Sequence, residues 1–191
     1  MKNTLTSNQI HIWRSSRTDK IRPAQVLSRY LDYPANQIKF SKSKHGKPKL
    51  AKPRVKIYFN LSHSYQENLF ALTATSAVGI DIEKHRKNID RIKVSRRFFS
   101  KDLAEKVQHL SEAASIKLFF KAWTFYEAFL KAKGLSIFSG RKYKNKFNAK
   151  TFKKKSMLLL NFKIQEIKIS KNYSAAIASQ VKNTKIKFFK I

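Results

Sequence analysis

The apolar positions of this chain change period several times, and each change marks an element. Residues 9–13, with Ile10, Ile12 and Trp13, alternate weakly and read as an opening strand. A helix is expected over 23–31, with Pro23 in its first turn, where a fixed φ and a missing N–H do no harm. Residues 41–53 break the pattern: Lys-rich, with Gly46, Pro48 and Pro53, they read as a basic loop. Val55, Ile57 and Phe59 then alternate with Lys56 and Tyr58, and 69–75 is a second β-type run; the two are expected to pair around a loop holding His63. In 78–83, Ile80 and Ile82 alternate with Asp81 and Glu83, which predicts a strand with one apolar face. The period then lengthens. Ser100 is placed to cap a helix with Asp102 as a first-turn anion. Over 111–133, Ile116, Phe119, Phe120, Trp123 and Leu130 recur at helical spacing up to Gly134, a natural stop. Residues 141–155 form a second basic segment, after which 158–169, 173–179 and 185–189 return to strand-type patterning.

One internal echo bears on architecture. Asn68-Leu69-Phe70-Ala71-Leu72-Thr73-Ala74-Thr75 resembles Asn172-Tyr173-Ser174-Ala175-Ala176-Ile177-Ala178-Ser179, with identities at the Asn and two Ala positions. Two related halves meeting near residue 77 would produce it.

Composition narrows the function classes. The chain has 191 residues, enough for one sizeable core or two small subdomains sharing one. Lys and Arg number 42 against 11 Asp and Glu, a formal charge of +31, yet 42% of residues are apolar and 15 are Phe, so a folded interior is expected rather than disorder. Such a charge attracts polyanions of every kind: nucleic acid, anionic lipid, acidic proteins, phosphorylated small molecules. The absence of Cys excludes disulfide frameworks, thiolate zinc sites and cysteine nucleophiles. Residues 1–13 lack an apolar signal core and the longest apolar runs, such as 157–160, fall far short of a spanning helix, so a soluble cytoplasmic protein is expected.

With acids so scarce, the placement of three of them is informative. In a strand, Asp81 and Glu83 project to the same face, roughly 6.6 Å apart, where two carboxylates suit a hard cation such as Mg²⁺; the plain alternative is a solvated strand face. Glu127 and Lys131, four apart on the long helix, would ordinarily be a surface ion pair contributing about 0.3–0.5 kcal/mol. They continue the row of Trp123 and Phe119, however, so the carboxylate is expected on or beside the buried face, in need of a cation. Ser62 and His63 follow a strand and could bring hydroxyl and imidazole donors to a phosphate; a Ser–His hydrolase is disfavoured, since no G-x-S-x-G elbow occurs and no acid stands behind His63. Gly46-Lys47-Pro48-Lys49 offers cations in a constrained loop. Residues 141–155 interleave Tyr143, Phe147 and Phe152 with cations, as some nucleic-acid surfaces do, but Lys far outnumbers Arg and a general basic surface is the simpler reading.

Taken in order, Ile10-His11-Ile12-Trp13, Gly46-Lys47-Pro48-Lys49-Leu50, Phe59-Asn60-Leu61-Ser62-His63-Ser64, Gly79-Ile80-Asp81-Ile82-Glu83, Arg97-Phe98-Phe99-Ser100 and the helix from Trp123 to Gly134 resemble the 4′-phosphopantetheinyl transferases of the surfactin-synthetase-activating (Sfp) type. The resemblance implies an α/β fold of two similar subdomains related by a pseudo-twofold, here 1–76 and 77–191, with the active site between them and the transferase motifs at 79–134. It implies transfer of the phosphopantetheine arm of coenzyme A to a serine of an acidic acyl or peptidyl carrier protein, releasing adenosine 3′,5′-bisphosphate. Carried over, Asp81, Glu83 and Glu127 would hold Mg²⁺, or Mn²⁺ in its place. Glu127 would also take the serine proton, Lys131 would stabilise the pyrophosphate and leaving group, and Lys47, Ser62, His63 and Lys131 would hold coenzyme A. A monomer is implied, since both halves of the site lie in one chain.

The chain departs from that pattern at Tyr126, where the family usually has Lys, so one cation near the phosphates is expected to be missing. The cations for the adenine end find no match within 14–29, and Lys101-Asp102-Leu103 varies the family's helix start. Two other readings compete: a basic module that contacts nucleic acid or an anionic surface through 141–155, and a silent relative that binds carrier proteins without modifying them. Fatty-acid, polyketide and nonribosomal-peptide carriers are not distinguished by these residues.

Overall fold

The computed structural model describes residues 3–16, 18–43 and 45–191. Arg17 and Lys44, within the basic stretches considered above, lie outside them. The chain runs β1 (Gln9–Ser16), α1 (Pro23–Ser28), β2 (Lys39–Lys42), β3 (Pro48–Lys52), β4 (Tyr58–Ser64), β5 (Glu67–Thr73), β6 (Val78–Lys84), α2 (Arg91–Phe98), α3 (Lys101–His109), α4 (Glu112–Lys133), β7 (Ser156–Leu159), β8 (Phe162–Glu166), β9 (Tyr173–Ser179) and β10 (Lys185–Lys190), with 3-10 turns at Ala35–Gln37, Ser139–Lys146 and Thr151–Lys153. The fold is α/β, as expected.

Two four-stranded sheets have the orders β10-β1-β5-β4 and β6-β9-β8-β7, and β2-β3 is a separate hairpin. The sheets repeat one pattern. In the first, β1 pairs antiparallel with β5 and β5 with β4; in the second, β6 pairs antiparallel with β9 and β9 with β8. The strands that carry the sequence echo, β5 and β9, occupy matching places and share one burial profile, two half-buried residues and then five buried ones. β10 returns to the first sheet and runs parallel to β1, with Gln9 opposite Lys185 and Arg14 opposite Lys190.

Burial explains why the sheets stay together. Ile10, Ile12, Leu69 and Ala71 of the first sheet pack with Val78, Ile80, Ile82, Ala175 and Ile177 of the second in one cluster. The other face of the second sheet is covered by α4, whose Phe119, Phe125, Tyr126, Phe129 and Leu130 meet Phe99, Phe147, Phe162 and Ile164. A smaller cluster, Trp13, Val26, Leu27, Phe59 and Phe70, lies under α1. α4 starts at Ser111 in the N-cap position and ends at Gly134 with φ 68°, a left-handed cap that Gly adopts without a Cβ clash, followed by the Leu135 N–H to Leu130 carbonyl bond. Among the described residues no helix is long and apolar enough to cross a membrane.

The structure corrects several expectations. Residues 41–53 are mostly hairpin: β2 and β3 pair across a turn closed by the Ser43 N–H to Lys47 carbonyl bond, with Gly46 at φ 78°. The residues of β2 are all exposed and those of β3 nearly so, so no inward apolar alternation announced them. α1 stops at Ser28, short of Leu31. β4 begins at Tyr58 and continues through Ser64, which puts His63 on a strand rather than in a loop. Residues 158–169 hold a hairpin, not one strand, turning at Leu160 and Asn161. Ser100 stands at the N-cap of α3, but its hydroxyl faces Asp102 Oδ1 at 2.5 Å and the Phe147 carbonyl at 3.0 Å instead of accepting from its helix's N–H groups.

Candidate active site

β4 and β6 belong to different sheets, and the site forms where they meet. β6 is at the edge of its sheet, and the N–H groups of Ile80, Ile82 and Lys84 find acceptors on side chains of β4. Asn60, Ser62 and Ser64 lie two apart on one face of β4. Ile80 N–H donates to Asn60 Oδ1 at 2.9 Å, Ile82 N–H to Ser62 Oγ at 3.3 Å and Lys84 N–H to Ser64 Oγ at 3.0 Å. The hydroxyls then donate onward: Ser62 Oγ to Asp81 Oδ1 at 2.9 Å, Ser64 Oγ to Glu83 Oε2 at 3.0 Å. Short polar side chains thus replace a strand partner along this edge and aim both carboxylates.

Gly79 brings the helix to the same strand. A Cβ there would lie 2.1 Å from the Ala128 carbonyl oxygen and 2.3 Å from the Ala132 nitrogen, so α4 rests on β6 at a distance only Gly and two small residues permit. Glu127 and Lys131 project from adjacent turns of that helix. Lys131 Nζ lies 2.6 Å from Asp81 Oδ1 and donates to Ser62 Oγ at 3.2 Å.

The electrostatics are those of crowded, buried anions. Asp81 is 3% exposed, and its Oδ2 is buried without a hydrogen-bond partner. Burial pushes the Asp81 carboxyl upward, against the pull of the Lys131 ammonium. Glu83 is pushed up by burial and by Asp81, against Ser64, Arg86 and Lys131. Burial, then the neighbouring Asp81 and Glu83, pushes Glu127 up to about 7, with Lys131 opposing. Among the described residues no three acidic or imidazole side chains stand together as a ready metal cage. The donor set nonetheless fits a hard cation: Asp81, with one oxygen orphaned, raises the proton affinity of both Glu83 and Glu127, as a site short of positive charge would.

The residues predicted for coenzyme A are not all brought to this point. Ser62 is, but as a buried link between Asp81, Lys131 and Ile82 rather than an open phosphate donor. His63, next on the strand, faces the other way and is exposed, in a cleft of about 680 Å³ lined also by Lys20, Tyr65, Asn68, Glu83 and Arg86. Lys47 is separate from the carboxylates: its Nζ donates to the carbonyls of Val78 at 2.9 Å, Lys131 at 2.6 Å and Ala132 at 3.3 Å, and burial then Lys49 lower it to about 8. Beside it opens a cleft of about 600 Å³ lined by His45, Lys49, Tyr58 and Lys133. Tyr126, which stands where the family resemblance implies a Lys, has its ring fully buried against Phe147, centroids 5.2 Å apart, and its hydroxyl donates to the Ile137 carbonyl at 3.1 Å.

Asn60, Ser64 and Gly79 were not singled out individually in the sequence. The signal was present as small polar residues at every second position of β4, and as a Gly two residues before Asp81 on a strand that must take a helix.

Comparison with known proteins agrees with the geometry. The family model described as the 4'-phosphopantetheinyl transferase superfamily matches residues 77–178, the span that holds Asp81, Glu83, Glu127 and Lys131. The chain is 37% identical over 114 residues to the 4'-phosphopantetheinyl transferase HetI of Nostoc, covering 59% of this chain and 48% of that one. It is 33% identical over 116 residues to a putative 4'-phosphopantetheinyl transferase of Synechocystis, covering 60% and 47%. Against the 4'-phosphopantetheinyl transferase Sfp of Bacillus subtilis it is 32% identical over 114 residues, covering 59% and 49%. The chain spans about half the length of these relatives. With a family match over more than half of its residues, and Lys131 paired with Asp81 inside the matched span, the chain belongs to the 4'-phosphopantetheinyl transferase superfamily.

Proposed function

We propose that this protein transfers the 4′-phosphopantetheine group of coenzyme A to a serine of an acidic acyl or peptidyl carrier protein, releasing adenosine 3′,5′-bisphosphate. The observation that carries the reading is the buried, unpartnered Asp81 Oδ2 set among Glu83, Glu127 and Lys131 on the strand and helix of the family match. Asp81, Glu83 and Glu127 would hold Mg²⁺, or Mn²⁺, and the bound ion would neutralise charge on the coenzyme A pyrophosphate.

The chain's own residues supply the rest. Glu127, set in a buried place beside Asp81, would accept the serine proton as the serine oxygen attacks the phosphorus that bears pantetheine. The bond from that phosphorus to the bridging oxygen breaks, and the electron pair leaves on the adenosine bisphosphate. Lys131, fixed by Asp81 and Ser62, places an ammonium beside the forming charge. His63 and the cations around its cleft, with Lys47 and the cleft beside it, are assigned to the coenzyme A phosphates. We place the site between two related halves, 1–76 and 77–191, in a cytoplasmic monomer; the repeated strand order supports the two halves, with the last strand of the second, β10, crossing over to pair in the first sheet. The net positive charge of the chain would steer it to an acidic carrier.

Chromatography of the nucleotide product tests this reading. Incubation with coenzyme A, Mg²⁺ and an apo carrier protein should produce adenosine 3′,5′-bisphosphate in step with loss of the apo form. Coenzyme A binding without that product, on fatty-acid and peptide-synthetase carriers alike, would leave a silent relative.

A further inference from the structure

The basic segment after α4 has no part in the site just described, and its aromatic residues do not do what the sequence pattern implied. Phe147 and Phe152 are buried in the core, and Tyr143 packs edge-on against Phe129 with centroids 5.1 Å apart. No base-stacking platform is left there. What the segment exposes instead is lysine and leucine. Lys150, Lys153, Lys154 and Lys155 are all exposed, and they lead into the β7–β8 hairpin, where Leu158 is 73% and Leu160 51% exposed.

The hairpin is built to present those leucines. Leu159, Phe162 and Ile164 turn inward to the core, while Leu158 stands on the outer face opposite Lys163. Leu160 and Asn161 form the two-residue turn, both with positive φ, 48° and 66°. Asn or Gly is favoured at both positions of such a turn, whereas Leu there is strained by its Cβ. The chain therefore accepts strain and exposure together at one apolar tip. Leu158 and the lysine stems of Lys146, Lys150, Lys154 and Lys163 line a single surface cleft of about 610 Å³. β7 is the far edge of the second sheet, separated from β6 by β9 and β8, so this surface is distinct from the carboxylate site.

We propose that the β7–β8 hairpin and its lysines dock the protein on an anionic lipid surface, with Leu158 and Leu160 entering the headgroup boundary and the lysines facing acidic headgroups. One exposed leucine at the turn and another on the strand leading to it, the second sharing a cleft with Lys146, Lys150, Lys154 and Lys163, match such a surface in both apolarity and charge. Nucleic acid fits less well, because the exposed set offers neither aromatic faces nor arginine forks beyond Arg141.

Vesicle flotation tests the proposal with the full chain. Vesicles of phosphatidylcholine alone should bind little, and vesicles with one quarter phosphatidylglycerol strongly. Combining Leu158→Ser with Leu160→Asn should lower the partition coefficient roughly tenfold, because two inserted leucines are lost while the charge is unchanged. The Asn change suits the left-handed turn, so the variant should melt no lower than the parent. Lys153→Glu with Lys154→Glu should weaken binding far more than the equal charge change Lys185→Glu with Lys190→Glu on β10. Unchanged binding by the leucine variant, or equal losses from the two charge variants, would reduce the effect to diffuse net charge and overturn the proposal. So would a leucine variant that binds vesicles normally but loses single-stranded RNA or the carrier protein.

Discussion

Ser62 Oγ donates to Asp81 Oδ1 at 2.9 Å while it receives the Ile82 N–H at 3.3 Å and the Lys131 ammonium at 3.2 Å. One hydroxyl from the first sheet therefore holds an acid of the second sheet, the backbone beside it and the lysine of the helix that covers it. Ser62→Ala should leave Ile82 N–H without its acceptor and Asp81 short of a donor, costing about 1–3 kcal/mol and lowering transfer with it. Denaturant midpoints and transfer rates read both effects; a variant unchanged in each would make the contact incidental.

Gly79→Ala should be among the most damaging small substitutions in the chain. Its Cβ would meet the Ala128 carbonyl at 2.1 Å, backbone that cannot step aside, so α4 must lift from β6. A loss of about 2–3 kcal/mol is expected, together with transfer activity, because Glu127 and Lys131 ride on the displaced helix. An alanine variant of parental stability and rate would show that this helix–strand approach has slack.

Lys47→Ala should act on two observables. Its ammonium donates to three carbonyls, two of them at the C-terminal end of α4, where a cation is favoured. Stability should fall by about 1–2 kcal/mol, and the coenzyme A KM should rise. A raised KM at unchanged stability would assign Lys47 to the ligand alone.

Acid should weaken the fold through His11. The ring is buried against Tyr30 and Phe189, bonded to Tyr30 Oη at 2.9 Å and Gln9 Oε1 at 2.8 Å, and burial then Lys187 lower it to about 4. The unfolded chain binds this proton near pH 6.5 and the folded one only near 4, so stability is full above 6.5 and falls as pH drops from 6.5 towards 4, by about 3 kcal/mol. His11→Gln should flatten that limb of a pH–stability profile; an unaltered limb would place its origin elsewhere.

The parts legible in the sequence were those with strong periodicity. α4 announced itself through Phe119, Phe120 and Trp123 and through its Gly134 stop, and β6 through Ile80 and Ile82. Spacing puts Asp81 and Glu83 on one strand face and Glu127 and Lys131 on one helix row, while their meeting in one site is what the family resemblance implies. What escaped was fixed by partners distant in sequence. β2 and β3 show no apolar alternation because their exposed strands bury almost nothing. The separation of Ser62 from His63 needed β4 to run through both, so that strand alternation sends neighbours to opposite faces. The burial of Tyr126 escaped as well, because helix periodicity alone does not say that its hydroxyl meets Ile137 in the loop beyond Gly134.

Intact-mass measurement of an apo carrier protein, incubated with this chain and coenzyme A, tests the central claim most directly. With Mg²⁺ the carrier should gain the mass of one phosphopantetheine. With a chelator, or with Glu127→Gln in place of the parent, the gain should vanish while circular dichroism shows the variant folded. Undiminished transfer by folded Glu127→Gln in the presence of chelator would contradict the account, since neither the carboxylate nor the cation it helps to hold would then be needed.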